Sequence, residues 1–375
     1  MVRYVLSICL LLTSLSVLDA KGDSTASGAM GDSTAVVHNV SFGVRTTYGL
    51  ASPHLQYSFS FPASSAWGKM FPTSYQGVGV AYYAFSDHKT YGYPAALYFF
   101  QGARIAQFTE KLSLDYEWNF GMSSFWRPSD KVGSKSKFYV NGGLFLSWYP
   151  IPEWKFSFGL DYTHFSNGDT ALPNIGTDIY GVRLTASRSF GNGIVQHPDK
   201  PYKNKLTEKA FFKRTTLDVI LSGAWNREVV AYNDINYDIE GKFAVVALHV
   251  NPLYKVTHYF SVGPSIDIQY NEGVNLTDHV AGLHISKREI KFHRPPLSEQ
   301  LAAGLSARLE LGAPIFSVNF GVGHNVIYKG PELGGLYYII ALKSFVYKGL
   351  FVHTGFKITS TKSSNNLLFG LGWRF

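Results

Sequence analysis

Three residues in the middle of the chain, His164, Ser166 and Asp178, are of the types that perform ester chemistry. His164 and Ser166 are two residues apart, so in a β-strand they share one face, with Cα atoms roughly 6.6 Å apart. If the next segment returns as a hairpin with Ser166 opposite Gly176, then Asp178 lies opposite His164. Directly opposed Cβ atoms are about 4.5–5.5 Å apart, which allows a carboxylate to bond an imidazole. The spacing therefore predicts Ser166 as nucleophile, His164 as general base and Asp178 as the residue that orients the ring.

The segment that carries His164 and Ser166 has two unlike faces. From Trp154 to Ser166, the even-numbered positions are mostly large and apolar, whereas the odd-numbered positions are mostly small or polar. This alternation predicts a strand whose apolar face is the core of a soluble sandwich or the lipid-facing wall of an outer-membrane barrel. His164, Ser166 and Asp178 all fall on the apolar register, so in a barrel they point toward lipid. Polar groups are costly there, and they suit a substrate that is itself a lipid.

The same alternation runs through most of the 375 residues and predicts an all-β protein. The chain is 46% hydrophobic, 16% aromatic and 16% charged, which excludes a disordered chain, and its single cysteine excludes a disulfide scaffold. No run of about 18 uncharged apolar residues follows residue 20, as a spanning helix would need. The last strand has apolar residues at every odd position from Leu367 to Phe375, which resembles the strand that the outer-membrane insertion machinery recognises.

The strand candidates predict an antiparallel transmembrane β-barrel of about 14–16 strands over residues 21–375. We favour one continuous barrel. The alternative is two tandem eight-stranded barrels, because the long basic segment 191–214 would serve as a linker and eight strands already close a barrel.

The first twenty residues predict export. Arg3 precedes a mostly apolar stretch from Val5 to Val17, and Ala20 is a plausible cleavage point for a signal peptide of residues 1–20. The formal net charge of +8 suits an anionic membrane surface better than nucleic acid in an exported chain. We expect no metal site, because the other histidines lack metal-ligand spacing; those such as His249, His258, His293 and His353 are expected at interfacial or loop positions.

The candidate hairpin also resembles a known family. It contains HFSNG at residues 164–168, PNIG at 173–176 and then Asp178. This pattern is similar to the signature of the PagL family of lipid A 3-O-deacylases, which are outer-membrane barrel esterases with a Ser-His-Glu triad on the outer wall. The resemblance implies the same roles for Ser166 and His164, with Asp178 in place of the family's glutamate. It covers the hairpin and, loosely, residues 36–193.

The resemblance also implies where the oxyanion is held. The asparagine of the family's Pro-Asn pair is Asn174 here, and Asn167 is a second candidate through backbone neighbours such as Gly168. Asparagine and glycine are also ordinary turn formers, so these residues can serve the hairpin alone.

The sequence thus predicts a serine esterase of the bacterial outer membrane that removes an acyl chain from lipid A in the outer leaflet, without metal or cofactor. Residues 194–375 have no motif assignable to chemistry, although the longer form resembles a subgroup described as acyloxyacyl hydrolases. Two alternatives stay open: a transport channel, supported by the high strand number and the polar inner register, and a structural or adhesive barrel with long outer loops.

Overall fold

A computed structural model describes residues 36–375 except 63, 130, 169, 172, 174, 175, 191–213, 234, 240, 258, 285–288 and 360–365. The predicted signal peptide of residues 1–20, nearly all of the basic segment 191–214, His258 and Asn174 therefore lie outside the described residues. The chain folds into two compact units.

The first unit contains an eight-stranded antiparallel barrel. Its strands are β1 (Val37–Thr47), β2 (Leu50–Ser60), β3 (Tyr75–Tyr82), β5 (Gly92–Thr109), β6 (Leu112–Trp126), β7 (Ser136–Ile151), β8 (Trp154–Ser166) and β9 (Thr177–Phe190). A two-residue strand, β4 (Ala84–Phe85), adds to β2 at one end. Each barrel strand pairs with the next, and β1 closes the ring by pairing with both β2 and β9.

The interior of this first barrel holds ion pairs in one layer and aromatic rings in another. Arg45 is 1% exposed, and its Nη2 lies 2.6 Å from Asp161, while Arg183 contacts Glu117 at 2.9 Å. Because a charge in the barrel interior is costly without a partner, these pairs fix which inward residues oppose one another. Aromatic side chains fill the layer next to them: Tyr83, Tyr98, Trp126, Tyr139 and Phe165.

The second unit contains another closed eight-stranded barrel. Its strands are β10 (Thr215–Asn226), β13 (Phe243–Lys255), β14 (Phe260–Asn271), β17 (Leu301–Gly312), β18 (Phe316–Tyr328), β19 (Leu336–Tyr347), β20 (Leu350–Thr359) and β21 (Asn366–Arg374). The first and last of these, β10 and β21, pair to complete the ring. Two hairpins, β11 (Val229–Tyr232) with β12 (Ile235–Asp238) and β15 (Val280–His284) with β16 (Glu289–Phe292), lie in its long connections.

The helices of the described ranges are short and sit in connections. They are α1 (Ala66–Met70), α2 (His88–Tyr91), α3 (Leu297–Gln300) and two 3-10 turns, Thr277–His279 and Pro331–Leu333. None of the helices in these ranges has the length and hydrophobicity needed to cross a membrane.

The all-β barrel class is confirmed, and the strands are arranged as the two tandem eight-stranded barrels rather than as the continuous barrel that we favoured. Closure decides between the two: β9 pairs back to β1 over residues Thr46 to His38, which leaves it no edge for β10. The expectation for two histidines was wrong, because His249 and His353 are buried inside the second barrel, 2% and 1% exposed.

Buried charges cross-link the interior of the second barrel. Asp267 accepts hydrogen bonds from Ser306 and Tyr337, each at 2.6 Å, and pairs with Arg308. Lys343 is fully buried between Asp218 and Glu310. An eight-stranded barrel is just wide enough for side chains to fill, and the second barrel is filled in this way.

Replacing Lys343 by methionine is expected to lower the free energy of unfolding of the second barrel by about 3 kcal/mol, because it leaves the buried Asp218 carboxylate, 2.6 Å from the cation, without this partner. Urea titration in detergent, read by the gel mobility of the folded barrel, measures the change. Lys329→Met, at an exposed position of the same unit, is the matched control. Equal midpoints for the two variants would show that the buried cation contributes nothing.

Candidate active site

His164 and Asp178 form a hydrogen-bonded pair across β8 and β9. The two residues are directly opposed in the strand pairing, as the hairpin register predicted from the sequence. The Nδ1 atom of His164 lies 2.6 Å from Oδ1 of Asp178, and the side chains are 36% and 51% exposed. Because Nδ1 is engaged by the carboxylate, Nε2 is the ring nitrogen left for a proton transfer.

Ser166 is the last residue of β8 and lies on the same face as His164. Other residues of that face of β8 are exposed, Phe158 at 52% and Leu160 at 67%, whereas Asp161 and Phe165 on the opposite face are buried. Asp178 is exposed on β9 beside Tyr180, which is 73% exposed. The structure therefore places all three predicted residues on the outer wall of the first barrel.

Tyr162 is a member of the site that the sequence did not single out. Its hydroxyl donates a 2.6 Å hydrogen bond to the same Oδ1 atom of Asp178 that contacts His164. Its ring packs against Tyr180, with centroids 5.0 Å apart. Asp178 is thus held from two sides, by an imidazole and by a phenol.

Core residues alternate with the outward-facing ones and fix the hairpin. Phe165, between His164 and Ser166, is fully buried, and its ring centroid lies 4.8 Å from that of Trp126 and 5.0 Å from that of Tyr83. Successive strand residues point to opposite faces, so the packing of Phe165 inward holds its two neighbours outward.

The loop after Ser166 is organised by Asn167. Its side chain is 3% exposed, and Nδ2 donates to the carbonyl of Ala171 at 2.7 Å. Gly168 follows with a φ of +64°, a conformation that favours glycine. The amide of Asn167 thus serves the turn, while an oxyanion role for Asn167, Gly168 or Asn174 stays a prediction.

Gly176 gives the imidazole its space. A Cβ atom at this position would lie 2.9 Å from Cε1 of His164, closer than packed atoms approach. A larger residue at this position would therefore require the His164 ring to move.

Family models match both halves of the chain. The model described as lipid A 3-O-deacylase (PagL) matches residues 40–187, and the model described as acyloxyacyl hydrolase, C-terminal domain, matches residues 215–375. A search of curated proteins by sequence gives no match.

Solved structures of outer-membrane proteins share low identity with the chain. The crystal structure of the outer membrane enzyme PagL is 19% identical, over 39% of this chain and 97% of that chain, with a TM-score of 0.30. The siderophore receptor PirA from Acinetobacter baumannii is 9% identical, over 91% of this chain and 70% of that chain, with a TM-score of 0.26. Omp33 from the same organism is also 9% identical, over 92% and 100%, with a TM-score of 0.20.

Gly176→Ala is expected to slow labelling of Ser166 by a fluorophosphonate probe about tenfold, because the added methyl group displaces the His164 ring from Asp178. Intact-mass spectrometry of the labelled protein gives the rate. Gly142→Ala is the matched control, since a Cβ atom at Gly142, opposite Tyr162 on β7, meets nothing within 4 Å. Unchanged labelling of Gly176→Ala would mean that the ring position does not control the serine.

Proposed function

Because the chain belongs to the PagL family of lipid A 3-O-deacylases, we propose that it is a serine esterase that removes an ester-linked acyl chain from lipid A. The protein is located in the bacterial outer membrane, where lipid A is the lipid of the outer leaflet. The observation that carries the proposal is the 2.6 Å hydrogen bond between His164 and Asp178 on the exposed face that also bears Ser166.

The proposed reaction is acyl transfer to water. Nε2 of His164 accepts the Ser166 proton while Oγ attacks the ester carbonyl, and the imidazolium is stabilised by Asp178. The sugar hydroxyl leaves with the proton from His164, and the same ring then activates the water that hydrolyses the acyl-serine.

Tyr162 acts in this scheme as a positioning residue. An exposed aspartate can adopt several rotamers. Because the Tyr162 hydroxyl and Nδ1 of His164 both bond to Oδ1 of Asp178, this side chain loses most of that freedom. Aspartate is one methylene shorter than the family's glutamate, and the phenol fixes the shorter side chain in reach of Nδ1.

The outward orientation accounts for how a membrane lipid reaches the site. With both ends of the first barrel's chain in the periplasm, the β8–β9 connection lies at the extracellular end. A glycolipid of the outer leaflet then approaches sideways along the barrel wall, at the height where its ester bonds lie. Ion pairs and an aromatic layer cross the interior of the first barrel, and buried charges cross that of the second, which does not favour the alternative of a transport channel.

The C-terminal residue has a separate proposed role in assembly. Phe375 follows β21 and is 59% exposed, while its backbone N–H donates to Leu217 of β10 at 2.9 Å. We propose that this terminal aromatic is the feature recognised by the insertion machinery before β10 and β21 close the ring.

Ser166→Ala and His164→Ala are each expected to abolish loss of an acyl chain from lipid A in cells that express the protein, since nucleophile and base act together. Mass spectra of lipid A measure this loss. The identity of the released fatty acid shows whether the ester that was cut joined a primary 3-hydroxyacyl chain to the sugar or a secondary chain to a primary one. Thr163→Ala, a change at a buried position between neighbouring outward residues, tests whether disturbance of β8 alone has the same effect. Wild-type deacylation by both Ser166→Ala and His164→Ala would disprove the site.

Tyr162→Phe is expected to lower kcat about fivefold and leave KM nearly unchanged, because the lost hydroxyl orients Asp178 and does not contact substrate. Tyr180→Phe removes a hydroxyl from the opposing position on β9 and is the matched control. In an Asp178→Ala background the Tyr162→Phe change should have no further effect. Additive losses in the double variant would assign Tyr162 to packing instead.

A further inference from the structure

The connection between β6 and β7 carries exposed positive charge beside the site. Residues 127–135 include Arg127, Lys131 and Lys135, all exposed, and one acidic residue, Asp130. Asp87 is close enough to attract Lys131 electrostatically. Arg127 and Lys135 form no ion pair in the part of the chain that the structure describes.

This connection is folded onto the barrel. Ser129 and Val132 exchange backbone hydrogen bonds of 2.8 and 3.0 Å, and the Val132 side chain is fully buried in the aromatic layer. The N–H of Trp126 donates to the carbonyl of Lys135 at 3.2 Å, which ties the two ends of the connection together. Backbone hydrogen bonds thus hold the chain at Arg127 and Lys135, so a bound ligand has to order their side chains but not the backbone at these two residues.

The start of the connection is fixed in an uncommon conformation. Phe125 has a φ of +71° and is 67% exposed, a rare combination for a bulky residue and one that persists only where the surroundings enforce it. The N–H of Arg127 donates to the carbonyl of Tyr91 at 3.1 Å, and a Cβ atom at Gly92 would lie 2.9 Å from the backbone of both Phe125 and Arg127. Close packing on Gly92 therefore sets where Arg127 leaves the barrel.

Exposed hydroxyl groups lie between these cations and the nucleophile. Phe138 of β7 is directly opposite Ser166. Lys135 is three residues from Phe138, so strand geometry places its Cα atom roughly 11 Å from that of Ser166. The Oγ atoms of Ser124 and Ser136 are 3.0 Å apart and exposed on the neighbouring strands. A headgroup whose ester is held at Ser166 would extend across these hydroxyls toward Lys135.

We propose that Arg127 and Lys135 form a cationic subsite for a phosphate group on the sugar of the substrate. The inference rests on the proposed function, since the phosphate belongs to the lipid whose ester lies at Ser166. Guanidinium and ammonium groups bind phosphate through charge-assisted hydrogen bonds, and a phosphorylated glucosamine carries its phosphate within one sugar unit of its acyl esters.

The test compares two forms of one lipid, lipid A with its phosphates and the same lipid after phosphatase treatment, in mixed micelles of neutral detergent. The Arg127→Gln/Lys135→Gln variant is expected to lower the ratio of kcat/KM for the phosphorylated over the dephosphorylated lipid about tenfold, mostly through KM. Lys111→Gln removes a charge from an exposed position in the short turn between β5 and β6, at the opposite end of the barrel, and is expected to keep the wild-type ratio.

The outcomes separate this inference from the function on which it rests. Hydrolysis of neither lipid by the wild-type protein would overturn the proposed function. Hydrolysis of both lipids with the same ratio in the wild type and the double variant would overturn the subsite alone. Inorganic phosphate at millimolar concentration is expected to leave hydrolysis of the dephosphorylated lipid unchanged. Inhibition of that hydrolysis by phosphate would mean that Arg127 and Lys135 bind free phosphate rather than the phosphate of the substrate.

Discussion

The register between β8 and β9 is the constraint on which the site depends. Opposition of His164 to Asp178 gives the 2.6 Å contact, and the same register sends Phe165 inward between the aromatic rings. A slip of one residue would turn Phe165 toward lipid and His164 into the interior, so the energy that packs the core also aligns the proposed catalytic residues.

The two barrels have different side chains in their interiors. In the first barrel, the Arg45–Asp161 pair lies next to an aromatic layer that directly supports the hairpin. In the second barrel, the buried charges around Asp267 and Lys343 bridge strands that are far apart in sequence. Removing one partner of such a buried pair leaves an uncompensated charge, so strand arrangements that separate these groups are disfavoured. The three residues proposed for the chemistry, His164, Ser166 and Asp178, lie on β8 and β9 of the first barrel.

How far the sequence predicts the structure depends on the range of the interaction. The opposition of His164 and Asp178 was predicted, because it follows from two local features: the alternation of apolar and polar residues along the strand and the short connection of the hairpin. The closure of β9 on β1 joins residues nearly 150 positions apart, such as Ser41 and Ser187. It could not be predicted, because the alternation of apolar and polar residues is the same in one large barrel as in two small ones. Tyr162 was missed because a tyrosine on a lipid-facing strand is typical of an aromatic girdle, and its hydroxyl bond to Asp178 depends on side-chain rotamers. His249 was missed because a histidine surrounded by apolar residues shows no sign of the carboxylate that it meets inside the barrel.

In the proposed esterase, the position of His164, Ser166 and Asp178 on the outer barrel wall makes the surrounding lipid or detergent part of the environment of the reaction. An enzyme with an enclosed cleft carries its own dielectric environment, whereas Ser166 and its partners share theirs with whatever molecules coat the cylinder. The same folded polypeptide thus has a different local medium in a micelle, a phospholipid bilayer and a glycolipid leaflet. Turnover numbers for the proposed reaction would therefore depend on the surrounding lipid or detergent as well as on the chain, and preparations are comparable only when that environment is the same.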